Sequence, residues 1–243
     1  MKKITSILYF HLFTFIHSPK YIMPLAVLVF LQLVIYTMAR GGPSDFISDI
    51  LLIEIFAFII SIWLGFASNG WTDETTEQLL ILRAKSHVLY YGTYVAFLFV
   101  IGIFVSLISA SMPVLIYLLD SGFFQQFSVA YFGYSFLLLL GSSFAGLSLG
   151  ALFHSRMMLA TEETPLLVIV VGLLSITRQP IVNQFSIFQA VLWLLPYLSA
   201  HHGIISDGSY FTFLTVGRLF LISMLYGGAY SFIKVMLLSK RKF

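Results

Sequence analysis

Glu54, Arg178 and Arg218 stand in stretches that are otherwise almost wholly apolar. An unpaired charge costs a few kcal/mol in such a setting. Such charges either line an outward polar cavity, snorkel to the headgroups or form a structural ion pair. The simplest expectation is a pair of Glu54 with Arg178 or Arg218. The run Gly141-Ser142-Ser143-Phe144-Ala145-Gly146 offers serine hydroxyls within a membrane helix. A serine nucleophile needs a histidine from a neighbouring helix, and the last apolar run has none. The small residues therefore read as a surface for close helix packing. His201-His202 has metal-ligand chemistry, but adjacent histidines point different ways, the chain has no cysteine, and only Asp207 lies nearby. A histidine pair in a watery loop is the expectation. There is no Gly-Lys pair and so no Walker A phosphate loop. The chain is therefore expected to be no enzyme and to carry no cofactor of its own; if ATP and Mg drive it, another chain binds them.

The densest group of charges is Thr72–His87, reading TDETTEQLLILRAKSH, with acids at Asp73, Glu74 and Glu77 and bases at Arg83 and Lys85. Its order predicts a short amphipathic helix. Thr72 or Asp73 caps the start, acids fill the first turn and bases the last, as the helix dipole favours. Leu79, Leu80 and Leu82 supply an apolar side.

These residues must be positioned by membrane helices. The 243 residues are 59% hydrophobic and 9% charged, against roughly 25% charged in a soluble domain. Several apolar runs exceed the ~20 residues that cross a bilayer. The pattern predicts an all-α membrane protein with six spans in one domain over residues 1–243. No cleavable signal peptide is expected.

Residues 4–18 repeat apolar side chains at helical spacing and end at Ser18-Pro19-Lys20, which predicts an interfacial helix. Spans are then expected at Tyr21–Ala39, from about Ile47 or Asp49 to Ala67, at Tyr90–Leu119, at Gln126–Phe153, from Pro165 to about Ile181 (a short span that meets Pro180), and from Tyr210 to about Phe232. Arg40-Gly41-Gly42-Pro43 and Asp120-Ser121-Gly122 are turns between them. Residues 183–209 are apolar but broken by Pro196 and His201-His202-Gly203. They suit two short helices dipping into the outer face better than a seventh span.

Six spans put both termini on one side. With that side cytoplasmic, Lys2, Lys3, Lys20, Arg83, Lys85, Arg156, Lys234, Lys240, Arg241 and Lys242 lie inside. Arg40, Arg178 and Arg218 lie outside, as the positive-inside rule requires. Thr72–His87 is then cytoplasmic.

This layout resembles the membrane subunit of bacterial ABC-2-type transporters, the type V exporter fold. In that family the first cytoplasmic loop carries a coupling helix with an acidic start, a Thr-x-Glu-like step and a Leu-Leu pair. The matching residues here are Asp73-Glu74-Thr75-Thr76-Glu77-Gln78-Leu79-Leu80, followed by Arg83 and Ser86. Trp193-Leu194-Leu195-Pro196-Tyr197-Leu198 sits where the family has its Pro-containing outer re-entrant helices. Thr75 replaces the family's usual Gly, and no proline follows the leucines. The resemblance implies a permease in the cell membrane that works with separate ABC ATPase subunits and a second permease chain, and with no nucleic acid. Its coupling helix spans residues 72–87, and Asp73, Glu74, Glu77, Leu79, Leu80 and Arg83 would meet the ATPase. The implied cargo is hydrophobic or amphipathic: a peptide, lipid or drug. Competing classes are an ion-coupled secondary transporter and a membrane immunity or sensor protein.

Overall fold

A computed structural model describes residues 2–38, 45–124, 128–154, 163–196, 198–205 and 211–240. Its elements are helices: α1 (Lys2–His17), α2 (Ile22–Met38, entered through a 3-10 turn at Pro19–Tyr21), α3 (Phe46–Ser68), α4 (Glu74–Ala84), α5 (His87–Leu119), α6 (Val129–Leu152), α7 (Thr164–Gln184), the single turn α8 (Gln189–Leu192), α9 (Leu198–Ile205) and α10 (Phe213–Lys240). Six of them, α2, α3, α5, α6, α7 and α10, are long and apolar enough to cross a membrane. The chain is an all-α, multi-pass membrane protein.

Helix ends follow local chemistry. Asp45, Asp73, Ser86 and Ser128 accept backbone N–H groups at the starts of α3, α4, α5 and α6. α4 ends with Lys85 in the left-handed region, φ 61°, a conformation that Gly or Asn usually supplies. α1 lays Ile7, His11 and Phe15 inward and leaves Tyr9, Phe13 and Ile16 exposed, the one-sided burial of an interfacial helix.

Two helices run further than their sequence signals suggest. α7 continues through Pro180 to Gln184, because neighbours in a membrane bundle tolerate the missing N–H. α10 continues past Phe232 to Lys240 and buries Lys234. Lys234 is thus part of the bundle and does not mark its edge. The turn at Arg40–Pro43, the Arg156 loop, Tyr197, Asp207 and the tail from Arg241 lie outside the described residues.

α6 forms the axis of the bundle, with a buried run from Leu138 to Ala151. Its small residues let α3 approach. A Cβ on Gly150 would strike the carbonyl of Ile62, and one on Gly65 would strike the carbonyl of Leu147. Backbone contact of this kind is how helices associate where lipid offers no hydrophobic drive.

One end of the bundle gathers α1, α4, the start of α5 and the last turns of α10, where Ile7, Leu80, Ile81, Tyr90 and Leu238 share one cluster. The chain's beginning and the end of α10 therefore lie on the same side as α4. The α8–α9 segment enters from the opposite side and is held deep. Tyr226 donates to the Trp193 carbonyl at 2.8 Å, Tyr230 to Leu194 at 2.5 Å, and Arg178 to Leu195 at 2.6 Å.

Candidate functional site

α4 is divided sharply between two faces. Glu77, Leu80, Ile81 and Ala84 are buried against the bundle, at helical spacing. Asp73, Glu74, Gln78 and Arg83 are exposed, and so are Leu79 and Leu82, at 61% and 72%. The expected contact set Asp73, Glu74, Glu77, Leu79, Leu80 and Arg83 is thus split. Glu77 and Leu80 face inward and are not available to a soluble partner here; Leu82 joins the outward face. Asp73 caps the helix, and its hydrogen bond from Thr76 holds its carboxyl below the usual carboxylate range.

The inward face of α4 meets a buried polar cluster. The Tyr91 hydroxyl donates to Glu77 Oε1 at 2.9 Å. Lys234 of α10 donates to Asn69 Oδ1 at 2.8 Å and stands over the ring of Tyr94. Tyr94 bonds to Ser68 and donates to Asn69, while Asn69 donates to the Phe153 carbonyl. Glu77, Asn69, His154 and Lys234 face one cavity of about 10 Å³, room for a single water. Asn69 thereby ties α3 to α5, α6 and α10, and Tyr91 ties α4 to α5. Nearby, His11 of α1 sits among the rings of Tyr90, Tyr94 and Phe97 at 5.5–5.7 Å. Burial, then the Lys234 charge, pushes its imidazole down to about 4.

Glu54 makes different contacts from those its sequence suggests. It is fully buried on α3, and its Oε1 lies 2.6 Å from Nδ1 of His201 on α9. Ser142 of α6 donates to the same oxygen. Its described partners are this histidine and serine, not an arginine. Arg178 is half-buried and serves the Leu195 carbonyl and Tyr226 hydroxyl of the broken segment. Arg218 is exposed on α10. His201 is 2% exposed, so it is a core residue of a helix and not part of a watery loop. Ser142 and His201 both bind the carboxylate and not each other. The serine and the histidine are thus joined through Glu54 rather than paired directly.

Sequence reasoning missed Lys234 and His201 as site residues. The signal for Lys234 was present: apolar periodicity continues on both sides of it to Leu238. For His201 the signal was the Leu198, His201, Ile205 spacing, one face of a short helix. Among the described residues, no group of three or more His, Cys, Asp or Glu side chains is placed to hold a metal ion. No protein-family model, curated protein or solved structure matches the chain.

Proposed function

We propose that the chain is the permease subunit of an ATP-driven exporter in the cell membrane, with α4 as the handle gripped by a separate ATPase subunit. The observation that carries this reading is the division of α4. Its outward face combines two exposed leucines with Glu74, Gln78 and Arg83, an apolar patch with a charged rim of the kind a partner groove accepts. Its inward face is fastened to α5 through Glu77 and Tyr91 and packed on α1 and α10. A push on α4 therefore reaches three helices at once. On this reading the α4 end is cytoplasmic, which places Lys20, Arg83, Lys85 and Lys240 inside, and both termini with them. A second permease chain completes the core. The cargo is hydrophobic or amphipathic, such as a peptide, lipid or drug.

The test is purification from native membranes under mild detergent, with Mg-ATP hydrolysis measured in the eluate. ATPase activity should co-purify with the native chain and fall at least tenfold with Leu79→Asp/Leu82→Asp. Undiminished co-purification with that variant, or no ATPase with the native chain, sinks the reading.

A further inference from the structure

Helices α1 and α4 leave between them a cleft to which the ATP-driven reading gives no role. Ile7 and Leu80, which share one buried cluster, close its floor. Ser6, Tyr9, Phe10 and Phe13 of α1 form one wall, and Arg83 stands on the α4 side. Residues 6, 9, 10 and 13 recur at i, i+3, i+4 and i+7, and 80 and 83 at i and i+3. Each side of the cleft is therefore a single stripe of its helix. The space is about 180 Å³, well beyond the ~30 Å³ share of one water.

One end of the cleft is polar and positive. Arg83 is exposed, and among the described residues neither it nor Ser6 has a side-chain hydrogen-bond or ion-pair partner. A guanidinium offers a planar fork of N–H donors that matches a phosphate, and the serine hydroxyl supplies one more donor. None of the lining residues is an acid. Asp73 and Glu74 precede Arg83 on the same helix by about 14 Å or more, and Glu77 is turned into the bundle. Lys85 is exposed two residues beyond Arg83, and Lys2 and Lys3 open α1 about one turn before Ser6. The local charge balance therefore favours an anion.

The rest of the cleft is apolar and open. Tyr9 is 67% exposed and Phe13 48%, on a helix with the one-sided burial of an interfacial segment. A soluble phosphate has no use for these rings. A phospholipid uses both ends, with its phosphate at Arg83 and Ser6 and an acyl chain along Phe10 and Phe13. A zwitterionic headgroup would bring its own cation among Arg83, Lys85 and the lysines of α1. An anionic headgroup meets only opposite charge there.

We propose that the α1–α4 cleft is a binding site for an anionic phospholipid, its phosphate held by Arg83 and Ser6 and one acyl chain laid against Phe10 and Phe13. The bound lipid bridges the two helices and ties α4 to the membrane surface. It is a resident of that surface and not the cargo. The proposal stands apart from the ATPase reading, and its test involves no ATPase.

Delipidated protein in detergent is mixed with phosphatidylglycerol or with phosphatidylcholine of the same acyl chains, and bound lipid is read by native mass spectrometry. The native chain should retain phosphatidylglycerol under conditions that strip phosphatidylcholine. Arg83→Gln removes an exposed side chain and no buried contact, and should weaken phosphatidylglycerol binding about tenfold, the worth of one charge-assisted contact. Phe13→Ser should weaken it as well. Lys20→Gln should leave it unchanged, because Lys20 bonds to Gly70 just before α4 and lines a different cleft. Excess glycerol 3-phosphate should not displace the lipid. Equal retention of the two lipids, or displacement by glycerol 3-phosphate, overturns the proposal. So does undiminished binding in Arg83→Gln or Phe13→Ser, or an equal loss in Lys20→Gln.

Discussion

The ammonium of Lys234 on α10 lies 3.9 Å from the centroid of the Tyr94 ring on α5. It also donates at 2.8 Å to Asn69, just beyond the end of α3. A buried lysine is thus satisfied by an aromatic face and an amide oxygen, with Glu77 across the same small cavity. Lys234→Ala removes the contact with the Tyr94 ring, the hydrogen bond to Asn69 and the packing of the aliphatic stem. The thermal midpoint in detergent should fall clearly. Lys234→Met keeps the stem and replaces the buried amino group with an apolar one, so it should cost less than alanine. Equal midpoints for native protein and Lys234→Ala would show that the junction carries no stability.

Close approach of α3 and α6 should be the most fragile packing in the bundle. Gly65→Ala and Gly150→Ala each drive a methyl group into a backbone carbonyl that cannot rotate away. Each is expected to destabilise by roughly 3 kcal/mol or more and to reduce the monodisperse peak in size-exclusion chromatography. Gly133 has open space where its Cβ would be, so Gly133→Ala should leave the peak unchanged. A normal peak from both Gly65→Ala and Gly150→Ala contradicts the close contact.

The two faces of α4 should respond oppositely to charge. Leu80→Asp puts a carboxylate into the cluster with Ile7, Ile81 and Leu238 and should destabilise by about 3 kcal/mol or more. Leu79→Asp and Leu82→Asp project outward and should stay within about 0.5 kcal/mol of the native protein. The comparison of unfolding midpoints decides it; comparable losses from Leu79→Asp and Leu80→Asp would reverse the assigned faces.

Acid should loosen α1 before it unfolds the rest. His11 is held neutral, its imidazole lowered from 6.5 to about 4 by burial and then by Lys234. An undocked His11 therefore binds a proton at higher pH than the docked one. Docking is strongest above pH 6.5 and weakens as pH falls toward 4, by up to about 3 kcal/mol. His11→Phe should flatten this dependence, read as protease sensitivity of residues 2–17 between pH 7 and 4.5. Identical pH profiles for native and His11→Phe protein would refute this role.

The readings that the structure revised share one cause. Glu77 was grouped with Asp73 and Glu74 because all three are acids of the helix start, yet position 77 shares a stripe with Leu80, Ile81 and Ala84. Glu54 looked like a partner for arginine because Arg178 and Arg218 were the intramembrane cations in view. His201 was discounted because its neighbour is a second histidine, whereas helix α9 turns residue 201 onto the Leu198–Ile205 face.

Hydropathy, run length and capping residues were enough to determine the six spans, the interfacial α1 and the short capped α4. Each is a local property: a run of 20 apolar residues must satisfy its backbone internally wherever it lies, and Asp73 caps whatever α4 touches. Tertiary structure alone decided which side of α4 is buried, that Lys234 belongs inside, and that Glu54 meets His201 across 147 residues of chain. Those contacts depend on the depth and rotation of helices against one another. The backbone contacts of Gly65 and Gly150 are where that relative register is held, and no local pattern encodes it.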